Sequence, residues 1–403
     1  MRANTTTRWL AGRYRLAGLL GQGALGEVWR AWDVVLEREV AVKRLKLAEG
    51  GFDALRAEFR AAAAVRHPHV VEVFDLVARP GAQAFFSMEL LDALPFDQAC
   101  RELPPERILA LACQALEALA HLHRAGVLHG DLKPTNLLVD RRASADIKLV
   151  DFGHAGASAL RGLHGTPAYL APEIVRGGAQ DLRSELYALG AVLYEALVGT
   201  NPFIGADAVE TLGRQIDHVP PPAHHVRSEL EPAVGAFVAR MLDKDPRRRF
   251  PTFEAARDAL TALAAEDAAA ALLETPPRLA TPPLAGRADA MTAAGVLLAG
   301  LEVASGACLA AVGPAGSGRT RFASDVRLAA QLDGHPTGAT RLTGARDDGA
   351  RLDAAVGALL GAVPEGDALD ALAAALGDGP AVLIVDDADR ATRALLPRLG
   401  RLV

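Results

Sequence analysis

Apolar residues alternate with polar ones through residues 14–28, YRLAGLLGQGALGEV, around a cluster of glycines, which predicts two strands joined by a tight loop. Residues 39–45 (EVAVKRL) alternate again and read as a strand. Over residues 52–65, Leu55 and Phe59 fall on one helical face, and His67-Pro68 closes that helix. Strands are expected at 70–77 and 84–90, so the first part of the chain is a small lobe of five strands and one helix. From residue 104 the period lengthens. Residues 105–124 open on a proline, carry Ile108, Leu109, Ala112, Leu116 and Leu119 as an apolar stripe, and end at Gly126. Further helices are expected near 184–199 and 231–243, which makes this a helical lobe.

Residues 264–285 turn to alanine and proline, and the TPPRLATPP stretch reads as a semi-rigid linker. Beyond it, helical and strand patterns alternate to residue 403. The expected division is a tail at 1–11, one domain at 12–265, a linker at 266–284 and a second, incomplete domain at 285–403. The nearly apolar run 291–313 is interrupted by Glu302 and diluted by Gly and Ala, so it reads as a helix followed by a buried strand and no membrane span is expected.

Composition narrows the picture. The net charge of −6 with both signs interspersed argues against a nucleic-acid surface. Cys100, Cys113 and Cys308 form no C-x-x-C pair, which argues against a disulfide framework or structural zinc and favours a reducing, cytoplasmic location. Lysine occurs only at 43, 46, 133, 148 and 244 in a chain rich in arginine, so each lysine invites a question about its role.

The candidate chemistry follows from motif order. Gly21, Gly23 and Gly26 form G-x-G-x-x-G, followed by Val28, a loop whose backbone amides can approach phosphates. Lys43 lies in V-A-V-K on the next strand, where it can neutralise phosphates, and Glu58 on the following helix can hold it by an ion pair. In His129-Gly-Asp131-Leu-Lys133-Pro-Thr-Asn136, Asp131 can accept a hydroxyl proton, Lys133 can neutralise a moving phosphoryl group, and Asn136 offers a hard oxygen to Mg²⁺. Fifteen residues after Asn136, Asp151 of Asp151-Phe152-Gly153 offers a second oxygen ligand, and LLVD with IKLV between them reads as a hairpin. GTPAYLAPE at 165–173 and DLRSELYALG at 181–190 complete the series.

On these motifs, residues 12–260 resemble the eukaryotic-like Ser/Thr protein kinases of bacteria. The resemblance implies an α+β, two-lobed kinase fold that takes ATP and Mg²⁺ in the cleft and phosphorylates protein substrates, the chain itself among them. It implies that Met88 is the gatekeeper, that Glu89 and Leu90 enter the hinge, that Leu20, Val28 and Ala41 cover adenine, and that Glu173 pairs with Arg249. Three departures stand out. Gly130 replaces an arginine that docks phosphorylated activation loops, Glu185 replaces an aspartate that bonds the catalytic loop, and the segment from Asp151 to Glu173 is short, with Ser158 the only hydroxyl between Gly153 and Gly165. With Lys43, Asp131, Asn136 and Asp151 all present, an active kinase is expected ahead of an ATP-binding pseudokinase scaffold.

A second motif, Gly313-Pro-Ala-Gly-Ser-Gly318-Arg319-Thr320, follows an apolar strand and precedes a helix, the context of a phosphate loop. VLIVDD at 382–387 reads as a buried strand, and Thr320 with Asp386 would reach a second Mg²⁺. Residues 286–403 resemble the start of an AAA-like signal-transduction ATPase, an α/β P-loop domain, with Arg319 in place of the usual lysine. The resemblance implies a sensor or relay role. It also leaves open a signalling ATPase regulated by the kinase.

Overall fold

The computed structural model describes residues 8–23, 26–45, 51–77, 84–141, 146–152, 166–263, 287–301, 311, 317–341, 350–353, 355–356 and 381–387. Gly153, Ser158, Gly165, the linker 266–284, Gly313 and most of the strand before it lie outside these residues. The chain divides into two compact units, Met1–Arg56 with Val73–Leu90 and Pro282–Val403, and Ala57–Glu72 with Leu91–Thr281.

The first unit is built on a sheet of β1 (Arg8–Leu10), β2 (Tyr14–Gln22), β3 (Gly26–Asp33), β4 (Arg38–Leu45), β5 (Val73–Val77) and β6 (Phe85–Glu89), in the order β1-β2-β3-β4-β6-β5. All neighbours in it are antiparallel. The sheet has one strand more than its hydrophobic pattern predicts. Arg8–Leu10 is too short to show an alternation, and it is held by pairing with Tyr14–Leu16. Leu10, Tyr14, Ala31, Val40, Val42 and Phe85 form the apolar core. Beside it lies a buried polar cluster: Arg13 donates two hydrogen bonds to Asp33, at 2.8 and 2.7 Å, and also pairs with Asp75 at 2.8 Å. The two carboxylates share this one guanidinium, so the buried cluster needs a further positive charge to balance it.

Helix α1 (Gly51–Ala63) starts in the first unit and ends in the second. The second unit is helical, apart from a small sheet of β7 (Ala93–Pro95), β8 (Leu137–Asp140) and β9 (Ile147–Leu149). The helix Pro105–Arg124 buries a wider face than its predicted stripe, including Leu111, Ala115, Ala118 and Leu122, because it packs against both Leu182–Val198 and Phe253–Leu263. Asp181 caps the helix Leu182–Val198, accepting from the Arg183 and Ser184 amides at 2.9 and 3.0 Å, while the Ser184 hydroxyl accepts from the Asp181 amide. That cap fixes the first turn, which carries Glu185. Further along, Gly190 lets the helix approach Pro232–Met241 closely, since a Cβ there would sit 2.7 Å from Met241 Cβ.

The Glu173–Arg249 pair implied by the resemblance is present. Arg249 is 2% exposed and donates to both Glu173 oxygens, at 2.6 and 2.9 Å, and to the carbonyls of Arg183 and Asp243. One guanidinium therefore ties three segments of the helical unit together. Of the scarce lysines, Lys244 donates to Tyr187 Oη at 2.8 Å and to the Gln215 carbonyl at 2.9 Å, and lies over the Phe203 ring.

In the C-terminal part of the first unit, the helix Ala288–Gly300 precedes the helix Arg319–Leu332, and β10 (Thr337–Arg341) pairs in parallel with β11 (Val382–Asp386). Among the described residues no helix is long and apolar enough to cross a membrane.

Replacing Arg249 with Ala leaves the Glu173 carboxylate and two carbonyls without their donor. We expect a loss of about 3 kcal/mol in chemical denaturation of the full chain, with Arg249→Lys intermediate because an ammonium lacks the two-pronged geometry.

Candidate functional site

The residues singled out from sequence fall into two sets, one in each unit. In the sheet unit, the glycine-rich turn joins β2 to β3. The Gly23 amide donates to the Gly26 carbonyl at 2.9 Å, Gly21 pairs with Val28, and a Cβ on either Gly21 or Gly23 would meet nothing within 4 Å. These glycines are thus open positions in which backbone can approach a ligand. Register places Val28 opposite Lys43, and Ala41 opposite Met88. Because strand side chains alternate, Val28, Ala41, Lys43 and Met88 share one face of the sheet, while Glu89 and Leu90 close the end of β6. Leu20, at a bulge in the β2–β3 pairing, is 52% exposed. Lys43 is 9% exposed in this unit, and Glu58, on α1 in the other, is 5% exposed. An ionised group buried this far requires a partner, and both have one.

In the helical unit the loop from His129 to Asn136 is fixed at nearly every polar atom. Asp131 Oδ2 accepts from Lys133 Nζ at 2.5 Å, and Asp131 Oδ1 accepts from the Thr166 amide and hydroxyl at 3.1 and 3.3 Å. Asn136 Nδ2 donates to the Asp131 carbonyl at 2.8 Å, which turns the amide oxygen the other way and makes it the group available to a cation. The Val150 amide donates to the Asn136 carbonyl at 3.0 Å, and β8 and β9 form the expected hairpin, so Asn136 and Asp151 are brought to the same end of it. Asp151 itself has φ +66°, a left-handed backbone uncommon outside glycine and typical of strained functional positions. Asn136 and Asp151 supply hard oxygen donors, a set suited to Mg²⁺.

The His129 ring contacts the Val150 carbonyl through Nε2 at 3.0 Å and lies 5.0 Å from the buried Phe152 ring. Burial keeps this imidazole below its ordinary pKa, so it is neutral and structural at physiological pH. Gly130 adopts φ +87°, and its backbone is held at both ends. Its amide donates to Glu185 Oε1 at 2.8 Å, and its carbonyl accepts from Gln180 Nε2 at 3.1 Å. The longer glutamate therefore makes the loop bond expected of the shorter aspartate. Its extra methylene shows elsewhere. Oε2 is buried without a hydrogen-bond partner, in a pocket lined by Gly130, Thr166, Tyr169, Gln180 and Ser184. Burial pushes the Glu185 carboxyl up to about 7, against the opposing pull of the Gly130 and His129 backbone amides.

Sequence reading missed Gln180, whose residue type signals no role at that spacing. Thr166, which by resemblance contacts this loop, does so through its amide and hydroxyl. In the C-terminal part, Gly318 has φ +83° at the start of the helix that opens with Arg319 and Thr320, and Asp386 ends β11. Gly313 is outside the described residues, so the phosphate-loop motif is seen only from its second half.

Comparison with known proteins bears on the first part of the chain. The protein kinase domain family matches residues 14–260. A probable serine/threonine-protein kinase of Streptomyces coelicolor is 34% identical over 272 residues, covering 62% of this chain and 40% of the relative. The DNA damage-responsive serine/threonine-protein kinase RqkA of Deinococcus radiodurans is 41% identical over 248 residues, 58% of this chain and 36% of its own. The serine/threonine-protein kinase PknB of Mycobacterium tuberculosis is 36% identical over 268 residues, 62% of this chain and 42% of its own. The chain thus spans about two fifths of the length of the curated relatives it matches.

Glu185 makes stability depend on pH. Its folded pKa lies above that of the unfolded chain, so its contribution is complete below about 4.5 and is lost as pH rises through about 7. In urea titrations, the stability difference between the native chain and Glu185→Gln is expected to shift against the native chain by roughly 3 kcal/mol across that window. A difference that stays flat would mean that Glu185 ionises normally.

Proposed function

Because the chain belongs to the protein kinase domain family, which matches residues 14–260, we propose that it transfers the γ-phosphate of ATP to Ser and Thr hydroxyls of proteins in bacterial signalling. The observation that carries this reading is the arrangement around Asp131. One carboxylate oxygen is held by the Thr166 amide and hydroxyl, the other by the Lys133 ammonium. A carboxylate fixed in this way accepts the proton of an incoming hydroxyl and aligns its oxygen, while Lys133 offsets the charge of the moving phosphoryl group. Asn136 and Asp151 would hold Mg²⁺, which supplies charge neutralisation between the phosphates. Lys43 would bind the α- and β-phosphates, and the sequence motif assigns Glu58 to hold that lysine. Val28, Ala41 and Leu20 would cover adenine, with Met88, Glu89 and Leu90 along its edge.

Gly130 has no side chain with which to dock a phosphorylated loop, so phosphorylation of the activation segment is not the main switch in this reading. We read the C-terminal part as a P-loop module that senses or relays a signal. Gly318 in a left-handed conformation before a helix and a parallel strand pair ending in Asp386 support this. Thr320 and Asp386 would serve a second Mg²⁺. Arg319 favours nucleotide binding over hydrolysis, since its planar group does not replace the compact ammonium. A cytoplasmic setting suits the buried free thiols of Cys100 and Cys113.

The test is transfer of labelled γ-phosphate from Mg-ATP to the protein itself and to a generic basic protein. Native chain is expected to yield acid-stable phosphate on Ser or Thr, and Asp131→Asn to lower the rate by about a hundredfold or more. ATP binding with no label transferred by the native chain would make it a scaffold.

A further inference from the structure

Strand β5 is the last strand of the six-stranded sheet, and an edge strand exposes a row of unpaired backbone groups. Here that edge is covered by side chains from far along the chain. Gln331 Oε1 accepts from the Leu76 amide at 3.3 Å, and Arg327 donates to the Phe74 carbonyl at 3.2 Å. Residues 74 and 76 are alternate positions on one strand, so these groups face the same side, where a seventh strand would otherwise pair. The helix Arg319–Leu332 therefore supplies with two side chains what a neighbouring strand supplies with its backbone.

The contact continues inward. Gln331 Nε2 donates to Asp75 Oδ1 at 2.9 Å, and Arg327 pairs with the same oxygen at 3.1 Å. Gln331 is 4% exposed and Asp75 is 3% exposed. Burial raises the Asp75 carboxyl, but Arg13 and Arg327 outweigh it and hold the group at about 2, so the charge is permanent. The Asp75 amide donates to Ser87 Oγ at 3.2 Å, and the β5–β6 pairing has an irregularity between Val73 and Asp75, where Val73 faces Met88 and Asp75 faces Ser87. A bulge is where register is least constrained by the ladder itself. The helix grips the strand at this bulge, and Ser87 directly precedes Met88 and Glu89.

We propose that Arg327 and Gln331 are positioning residues for nucleotide binding: docked on the β5 edge, they fix the β5–β6 register and with it the placement of Met88 and Glu89. This rests on the reading of those two residues as part of the adenine site. The C-terminal segment then influences the kinase through the strand that carries the hinge. The helix that carries Arg327 and Gln331 begins at the glycine motif, so whatever restrains Gly318–Thr320 acts on that helix.

The test uses the full chain and two readouts. Amide hydrogen exchange is followed at residues 73–77 and 85–89, and initial rates give KM for ATP separately from kcat. In the Arg327→Ala, Gln331→Ala double variant, which loses the contacts of both side chains to Phe74, Asp75 and Leu76, exchange at 85–89 is expected to be about tenfold faster and KM for ATP several-fold higher, with kcat within about twofold. Arg327→Lys, which keeps a donor, is expected near native values. Faster exchange confined to 73–77 and the helix, with 85–89 and KM unchanged, would overturn the proposal, since the helix would then only cover an edge. If the double variant fails to fold, Gln331→Leu removes the glutamine's own hydrogen bonds to Leu76 and Asp75 at similar volume and is read in the same way, with smaller expected changes. Hydrogen exchange decides the clamp even if the native chain transfers no phosphate, which separates this proposal from the kinase reading. In that case, unchanged exchange at 85–89 overturns it alone.

Discussion

The loop from His129 to Asn136 depends on a glycine held in a conformation that other residues avoid. At φ +87°, Gly130 turns the chain between His129 and Asp131, and the turn is stable because Glu185 takes its amide and Gln180 gives to its carbonyl. Everything downstream inherits that placement: Asp131, the Lys133 and Thr166 groups that bracket its carboxylate, and Asn136, whose amide nitrogen bonds back to the Asp131 carbonyl. Glu185 can do this only because its helix is capped one turn earlier by Asp181 and passes through the centre of the helical unit. The loop is thus held by hydrogen bonding to a buried helix, which keeps the Asp131 carboxylate in one orientation.

The helical unit spends its buried charges on architecture as much as on chemistry. Arg249 binds Glu173 and two backbone carbonyls, and Lys244 bridges Tyr187 and Gln215. Burial lowers Lys244 to about 8, so it sits within reach of neutrality while most surface lysines do not. The scarcity of lysine was a useful pointer, but to two different ends. Lys43 and Lys133 lie among the motif residues, whereas Lys244 is a packing device.

The kinase lobes were legible in sequence because their signals are local. Glycine spacing, strand alternation around Lys43, and the order of Asp131, Asn136 and Asp151 each occupy a few residues, and strands, helices and hairpin formed as their patterns predicted. What was hidden depends on partners distant in sequence. Arg8–Leu10 is a strand only by virtue of its neighbour, and Val70 forms an isolated bridge to Leu149 and is no part of β5. Gln180 and Gln331 are ordinary polar residues until the fold brings them to a backbone edge. Glu185 was recognisable as a departure, yet its unpartnered oxygen and raised pKa follow from burial, which no spacing encodes. The roles of the glycine motif near Gly318 and of Asp386 stay tied to the motif itself.

Asp33 and Asp75 share Arg13 within the sheet, and Arg327 from the distant helix brings the second positive charge. If the helix were absent, two buried carboxylates would be left to one guanidinium, and the sheet would bury an uncompensated charge. A sheet built in this way is electrically complete only with a cation lent by a segment far along the chain. Any segment docked on this edge in its place would have to bring a positive charge as well as a donor and an acceptor to the same short strand.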